Sequence, residues 1–290
     1  MALALLKTMR PRQWAKNAFL FAALVFDRQL LLPTPFLRTL AGFGLFCAAS
    51  GLVYLINDLA DLEQDRQHPT KRNRPLASGR LPVRVAQVSA VLLGAVTLWL
   101  SFELGTSFGL IILLYIVINL LYSFRLKHVP IIDVMLVASG FLLRVHAGVA
   151  LLTVERFSPW LYVCMTLLAL FMGFGKRRAE MVLLAQGANA HRRVLDGYTI
   201  PLLDQFIVIV SGATLMAYSL YTGLALNLPA NHAMMLSIPF VVYGIFRYLQ
   251  LIHVQDAGGA PEELILTDRP LLLTCILWAV AVVLILYFSP

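Results

Sequence analysis

"INDLADLEQDRQHPTKRNRPLASGRL" (56–81) closes an apolar run long enough to cross a membrane. Asp58, Asp61, Glu63 and Asp65 stand at its end, where the rule that gathers lysine and arginine on the cytoplasmic side gives acids no purpose. If the helix runs on, Asn57, Asp61 and Asp65 fall at i, i+4 and i+8. Asp58 lies three residues before Asp61, so all four share one face. Carboxylates crowded together repel, and desolvation adds to the cost. A divalent cation removes both penalties. Hard oxygen ligands on one face suit Mg2+, which keeps part of its water shell and bridges to substrate phosphates. Lys71, Arg72, Arg74 and Arg80 follow directly. Carboxylates holding a metal beside a basic loop make a diphosphate clamp, the metal neutralising some phosphate oxygens and the bases the others. The plain alternative is acids pairing with neighbouring bases on a solvated surface. The joined motif at a membrane boundary favours the clamp.

The rest of the chain agrees with a membrane setting. Of 290 residues, 60% are apolar and 13% charged, against about 25% charged in soluble domains. A mean hydropathy of +0.80 cannot be hidden in one soluble core. Nine apolar runs approach the roughly 20 residues of a span: 15–32, 36–57, 84–102, 105–122, 130–150, 158–178, 200–222, 234–251 and 270–288. Ser158-Pro159, Pro130, Pro201 and Pro270 mark helix starts. The basic, then apolar N-terminus lacks a small-x-small cleavage site, so it reads as a first span rather than a signal peptide. Cys47, Cys164 and Cys275 lie in separate apolar runs and read as buried thiols. With the N-terminus inside, all Lys and Arg except Arg28, Arg38, Arg144 and Arg156 fall on the cytoplasmic side. The net charge of +8 is thereby explained by topology, and no nucleic-acid partner is called for.

A second cluster, "FMGFGKRRAEM" (171–181), ends the sixth run. Gly173, Lys176, Arg177 and Glu180 stand at i, i+3, i+4 and i+7 on one face; Arg178 lies off it and reads as a plain anchor. Topology alone would also account for the cluster. His68 and His128 read as surface loop residues. Arg144 sits deep in the fifth run, eleven residues past Asp133 and near the same face. An intramembrane arginine seldom faces lipid, so it either pairs with Glu103 or Glu155 or lines a cavity.

"NDLADLEQD" with "RPLASG" resembles the first aspartate-rich motif of the UbiA-type intramembrane prenyltransferases, and "YSFRLK" (122–127) is similar to that family's Tyr-to-Lys motif. The resemblance covers nearly the whole chain. It implies one transmembrane domain over 1–290, an all-α polytopic membrane protein with nine helices around a central cavity, N-terminus in and C-terminus out, in the inner membrane with its site facing the cytoplasm. Family members carry a second aspartate-rich motif after helix 6, where this chain has "GFGKRRAE". A pocket with fewer acids and more cations would hold a more anionic ligand than a prenyl diphosphate. "RPRQWAKN", "GKRRAE", "RRVLDGYT" and "PEELILTDRP" look like the decaprenyl-phosphate phosphoribosyltransferase branch.

That resemblance implies transfer of 5-phosphoribosyl from phosphoribosyl diphosphate to a polyprenyl phosphate, with Mg2+ as cofactor. Asn57, Asp58, Asp61 and Asp65 would hold the metal, Asp58 and Asp61 acting in catalysis. Lys71, Arg74, Tyr122, Lys127, Lys176, Arg177, Glu180 and Tyr198 would bind the donor. Lys16 and Arg10 would meet the acceptor phosphate. Prenyl transfer to an aromatic acceptor is the enzymatic alternative, and a transporter the non-enzymatic one, although neither mid-membrane polar clusters nor repeats are evident. The sequence leaves room for a homo-oligomer.

Overall fold

The computed structural model describes residues 1–68, 71–153, 158–185, 193–259 and 261–288, and every regular element among them is helical. In chain order these are α1 (Ala2–Thr8), a 3-10 segment (Pro11–Phe21), α2 (Ala22–Phe26), α3 (Pro33–Ala60), α4 (Leu62–Gln67) and a 3-10 turn (Lys71–Asn73). Next come α5 (Val83–Leu104), α6 (Thr106–Phe124), a 3-10 turn (Leu126–His128), α7 (Ile132–Ala150) and α8 (Pro159–Ala185). The chain closes with a 3-10 turn (Arg193–Gly197), α9 (Ile200–Leu224), a 3-10 turn (Ala233–Ser237), α10 (Ile238–Val254), α11 (Pro261–Thr267) and α12 (Arg269–Phe288).

Eight helical stretches among the described residues are long and apolar enough to cross a membrane, and each matches an expected run. Several begin as read: α8 opens on Pro159, and α9 carries Pro201 behind the cap residue Thr199, whose hydroxyl accepts from the Leu202 amide. α12 starts behind Asp268, whose carboxylate accepts from the Leu271 amide.

The expected first span (15–32) is not one α-helix. It folds as the 3-10 segment followed by the short α2. On the 3-10 segment Asn17 and Leu20 are both fully buried, three residues apart, which is the period of a 3-10 helix. Asn17 is drawn inward by Cys47 Sγ at 3.2 Å, Ser50 Oγ at 3.3 Å and Arg144 Nε at 2.8 Å. Gly148 admits the close approach, since a Cβ there would lie 2.0 Å from the Leu20 carbonyl oxygen.

The chain forms two compact units: Met1–Val25, Gln29–Phe124 and Leu143–Val154 in the first; Phe26–Arg28, Arg125–Leu142 and Glu155–Pro290 in the second. The first packs Leu20, Phe46, Phe108, Ile112, Tyr115 and Ala147 into its core. The second packs Phe171, Phe174, Leu203, Ile207, Tyr248 and Ile252. Large apolar side chains such as Val91, Trp99, Val208 and Ile209 point outward and stay exposed, as lipid-facing surfaces require. α3 has 28 residues and α8 has 27.

Arg144 belongs to the first core. Its guanidinium donates to Asn17 and to the Tyr115 hydroxyl at 3.1 Å and lies over the rings of Phe46 and Tyr115. Glu103, named from the sequence as a partner, is exposed instead; Glu155 lies outside the described residues. The hydroxyl and amide partners were not readable from spacing, because they come from two other helical elements, α6 and the 3-10 segment, far from Arg144 in the chain.

Candidate active site

In the first unit, α3 ends at Ala60 and α4 begins at Leu62, with only Asp61 (φ −93°, ψ 9°) out of helical geometry. The amides of Asp61 and Asp65 still reach the carbonyls of Asn57 and Asp61, so the helix effectively continues through one distorted residue. The motif therefore keeps its face. Asp58 and Asp65 are both 3% exposed, and a single nitrogen of Arg74 touches both, at 3.1 Å and 2.6 Å. Arg10 reaches the same Asp58 oxygen at 2.8 Å and lies over the Tyr54 ring. Arg10 thus joins the acidic cluster rather than standing apart for an acceptor, which is how the sequence had placed it.

The loop after α4 is held by burial of Leu76 and Leu81 against Leu55, by the Leu81 amide on the Pro75 carbonyl, and by Arg80 on the Asn73 carbonyl. Lys71 is exposed on its 3-10 turn. Lys16 is half-buried on the 3-10 segment beside Asn17, and Tyr122 is half-buried near the end of α6.

Among the described residues no three His, Cys, Asp or Glu side chains converge as a metal cage. The donor set nevertheless fits Mg2+, which takes one or two carboxylates plus waters and substrate phosphates rather than an all-protein cage. Asn57 Oδ1 is buried with no hydrogen-bond partner on the same helix end. An orphaned carbonyl oxygen beside two buried carboxylates is what a hard cation would complete.

In the second unit, α8 carries Lys176, Arg177 and Glu180 on one face as expected. Arg177 is 4% exposed; its Nε lies 2.8 Å from Asp133, itself fully buried, and its Nη1 contacts Glu180. The Tyr198 hydroxyl donates to Asp133 Oδ1 at 2.8 Å and accepts from the Ile131 amide at 2.5 Å. Burial, together with the carboxylate it serves, pushes the Tyr198 phenol above its ordinary value and keeps it protonated. Two expectations change here. Arg177 is not an open phosphate ligand, because two carboxylates surround its charge. Tyr198 has no proton left for a donor, because Asp133 takes it. The sequence could not show this, since Asp133 and Tyr198 are 65 residues apart.

Lys176 and Glu180 remain partly exposed on that face, and Lys127 sits half-buried on the turn Leu126–His128. Arg178 is no plain anchor. It is largely buried and ties Asp204 at 2.7 Å, Asp256 at 3.2 Å and the Ile252 carbonyl at 3.0 Å. Of "RRVLDGYT", Arg192 lies outside the described residues. A groove of about 470 Å³ along α12, lined by Tyr243, Arg269, Pro270, Leu273, Thr274 and Leu277, contains none of these site residues.

A polytopic helical membrane protein with buried carboxylates and basic side chains at the ends of its spans falls into the class of intramembrane transferases. The chain belongs to the UbiA prenyltransferase family, whose profile matches residues 18–264. It is 35% identical to a decaprenyl-phosphate phosphoribosyltransferase of Corynebacterium glutamicum, over 99% of this chain and 87% of that one. It is 33% identical to the protein of the same name in Mycobacterium tuberculosis, over 95% and 92% of the two chains. Its fold is similar to that of a UbiA homolog from Archaeoglobus fulgidus bound to DMAPP and Mg2+, with a TM-score of 0.73, 19% identity and coverage of 98% and 99%.

Proposed function

We propose that this protein transfers a 5-phosphoribosyl group from phosphoribosyl diphosphate to a polyprenyl phosphate and releases diphosphate. The similarity to decaprenyl-phosphate phosphoribosyltransferases over almost the full length of both chains carries this reading. We place the reaction in the inner membrane, at its cytoplasmic face, on the concentration of basic residues at those span ends.

Asn57, Asp58, Asp61 and Asp65 would hold the Mg2+, which supplies electrostatic stabilisation of the leaving diphosphate. Lys71, Arg74 and Lys127 offset the charge that grows on that diphosphate as the bond to the anomeric carbon breaks. Arg74 is suited to this, because its contact with both Asp58 and Asp65 aims it at the metal face. Tyr122 orients the donor. Lys176 and Glu180 meet the phosphoribosyl part, Lys176 pairing with the 5′-phosphate. The anomeric carbon gains oxocarbenium character, as in other glycosyl transfers. No general base is required, because a phosphate monoester with a second pKa near 6 is already anionic at neutral pH. Lys16 steers the acceptor phosphate.

The test is isotopic transfer from labelled phosphoribosyl diphosphate to polyprenyl phosphate by purified protein with Mg2+. A labelled lipid is expected. No lipid-linked product, or product only with a prenyl diphosphate and an aromatic acceptor, would sink the proposal.

A further inference from the structure

The second unit holds a connected chain of polar contacts of which the proposed chemistry uses only Glu180. It starts at Ile131, a β-branched residue held at φ 68°, a strained conformation that needs support from its surroundings. That support is visible. The Ile131 amide donates to Tyr198, Tyr198 donates to Asp133, Asp133 meets Arg177, and Arg177 contacts Glu180. Gly197, next to Tyr198, lies so close to Pro130 that a Cβ there would come within 2.2 Å of the proline ring. The turn Arg193–Gly197 also packs against the turn Leu126–His128, which carries Lys127. One tyrosine hydroxyl therefore touches the backbone that follows Lys127 and, through one carboxylate, the arginine that meets Glu180.

Such a chain differs from an ordinary buried ion pair. Asp133 accepts a hydrogen bond from Tyr198 on one oxygen and meets Arg177 as an ion pair through the other, so the carboxylate is held from both sides. Arg177 in turn has a rigid, planar guanidinium, so a fixed Asp133 fixes where it meets Glu180. A hydrogen bond to a charged group is strong enough to select one rotamer over its neighbours.

We propose that Asp133, Tyr198 and Arg177 are positioning residues that set Lys127 and Glu180 together for an anionic, diphosphate-bearing donor. Resting on the reading of Lys127 and Glu180 as donor ligands, this goes beyond it by assigning their placement to three residues that touch no substrate. Arg177 then serves as scaffold, and its position matters more than its charge.

The experiment measures binding of phosphoribosyl diphosphate and of inorganic diphosphate, each with Mg2+, to the purified full chain in nanodiscs by calorimetry, alongside thermal unfolding. Tyr198→Phe keeps the ring and removes the hydroxyl; it is expected to weaken phosphoribosyl diphosphate about tenfold, from the loss of a hydrogen bond to a charged group. Asp133→Asn is expected to do the same, and the double variant to be no worse than the weaker single one, because both break one chain. A purely structural role would lower the melting temperature and leave the affinity of the folded protein unchanged. Unchanged affinity in folded Tyr198→Phe protein overturns the proposal, as do fully additive effects. Failure of phosphoribosyl transfer by the wild type, with binding still lost in the variants, overturns the reaction and leaves the positioning intact. A wild type that binds neither probe overturns both.

Discussion

The two ionic clusters are built from the same residue types and differ in which partner is buried. At the end of α3 the carboxylates are buried while their cations are partly open: Asp58 is 3% exposed, but Arg74 is 28% and Arg10 34%. Where α8 meets the start of α7 both partners are buried, Arg177 at 4% and Asp133 at 0%. An open arginine can swing away and yield its place to another cation, at little cost in solvation. A buried pair has no such freedom, because removing either charge strands the other away from water. The first cluster is thus suited to exchanging its counter-charge during a reaction, and the second to holding a shape.

This contrast can be broken at several points. Asp58→Asn removes the charge that an exchangeable cation would answer, so turnover should fall by at least a hundredfold with the fold intact, measured by labelled transfer and by thermal unfolding in detergent. If activity survives, the α3 cluster is not the reacting one. Asp133→Ala should act in the opposite way, costing about 3–5 kcal/mol of stability by stranding Arg177, read from the unfolding midpoint. Little change there would mean that the two clusters are alike. Lys176→Ala probes the open part of the α8 face and should raise the donor KM about tenfold, as expected for one lost charge-assisted contact, without moving the midpoint. An unchanged KM would remove Lys176 from the site.

The smallest effect should come from a pair outside both clusters. Arg247 bonds Asp268 at 2.7 Å and holds its carboxyl below the usual range. A lowered carboxylate contributes stability above its unfolded pKa of about 3.9, and loses it as pH falls through the lower folded value. The wild-type midpoint should therefore drop slightly more than that of Asp268→Asn on acidification below about pH 4. Parallel curves would mean that the pair contributes nothing.

The sequence made the spans and the α3 motif readable because both depend on local spacing. Apolar runs end where charges begin, and Asn57, Asp58 and Asp65 are neighbours on a helix whatever surrounds them. Asp133, Tyr198 and Arg178 escaped because their partners are distant in the chain. Arg178 looked like an anchor by the same logic that was applied to the other bases at span ends, and its contacts with Asp204 and Asp256 set it apart from that reading. The 3-10 segment was hidden because a run of apolar residues does not reveal whether its buried face repeats every three residues or every 3.6. One signal for Asp133 was present: an acid in the first turn of an apolar helix needs a partner.

The lengths of α3 and α8 have a consequence of their own. At about 1.5 Å per residue, 28 and 27 residues extend roughly 40 Å, while the hydrocarbon layer is about 30 Å thick. Each helix therefore overshoots the oil by some two turns, and Asp58 and Glu180 lie near the far ends. Charged groups are thus mounted on stiff overhangs rather than on loops. Bilayer thickness then becomes a control variable: a thicker membrane would draw those overhangs into lipid, where ionised groups are disfavoured.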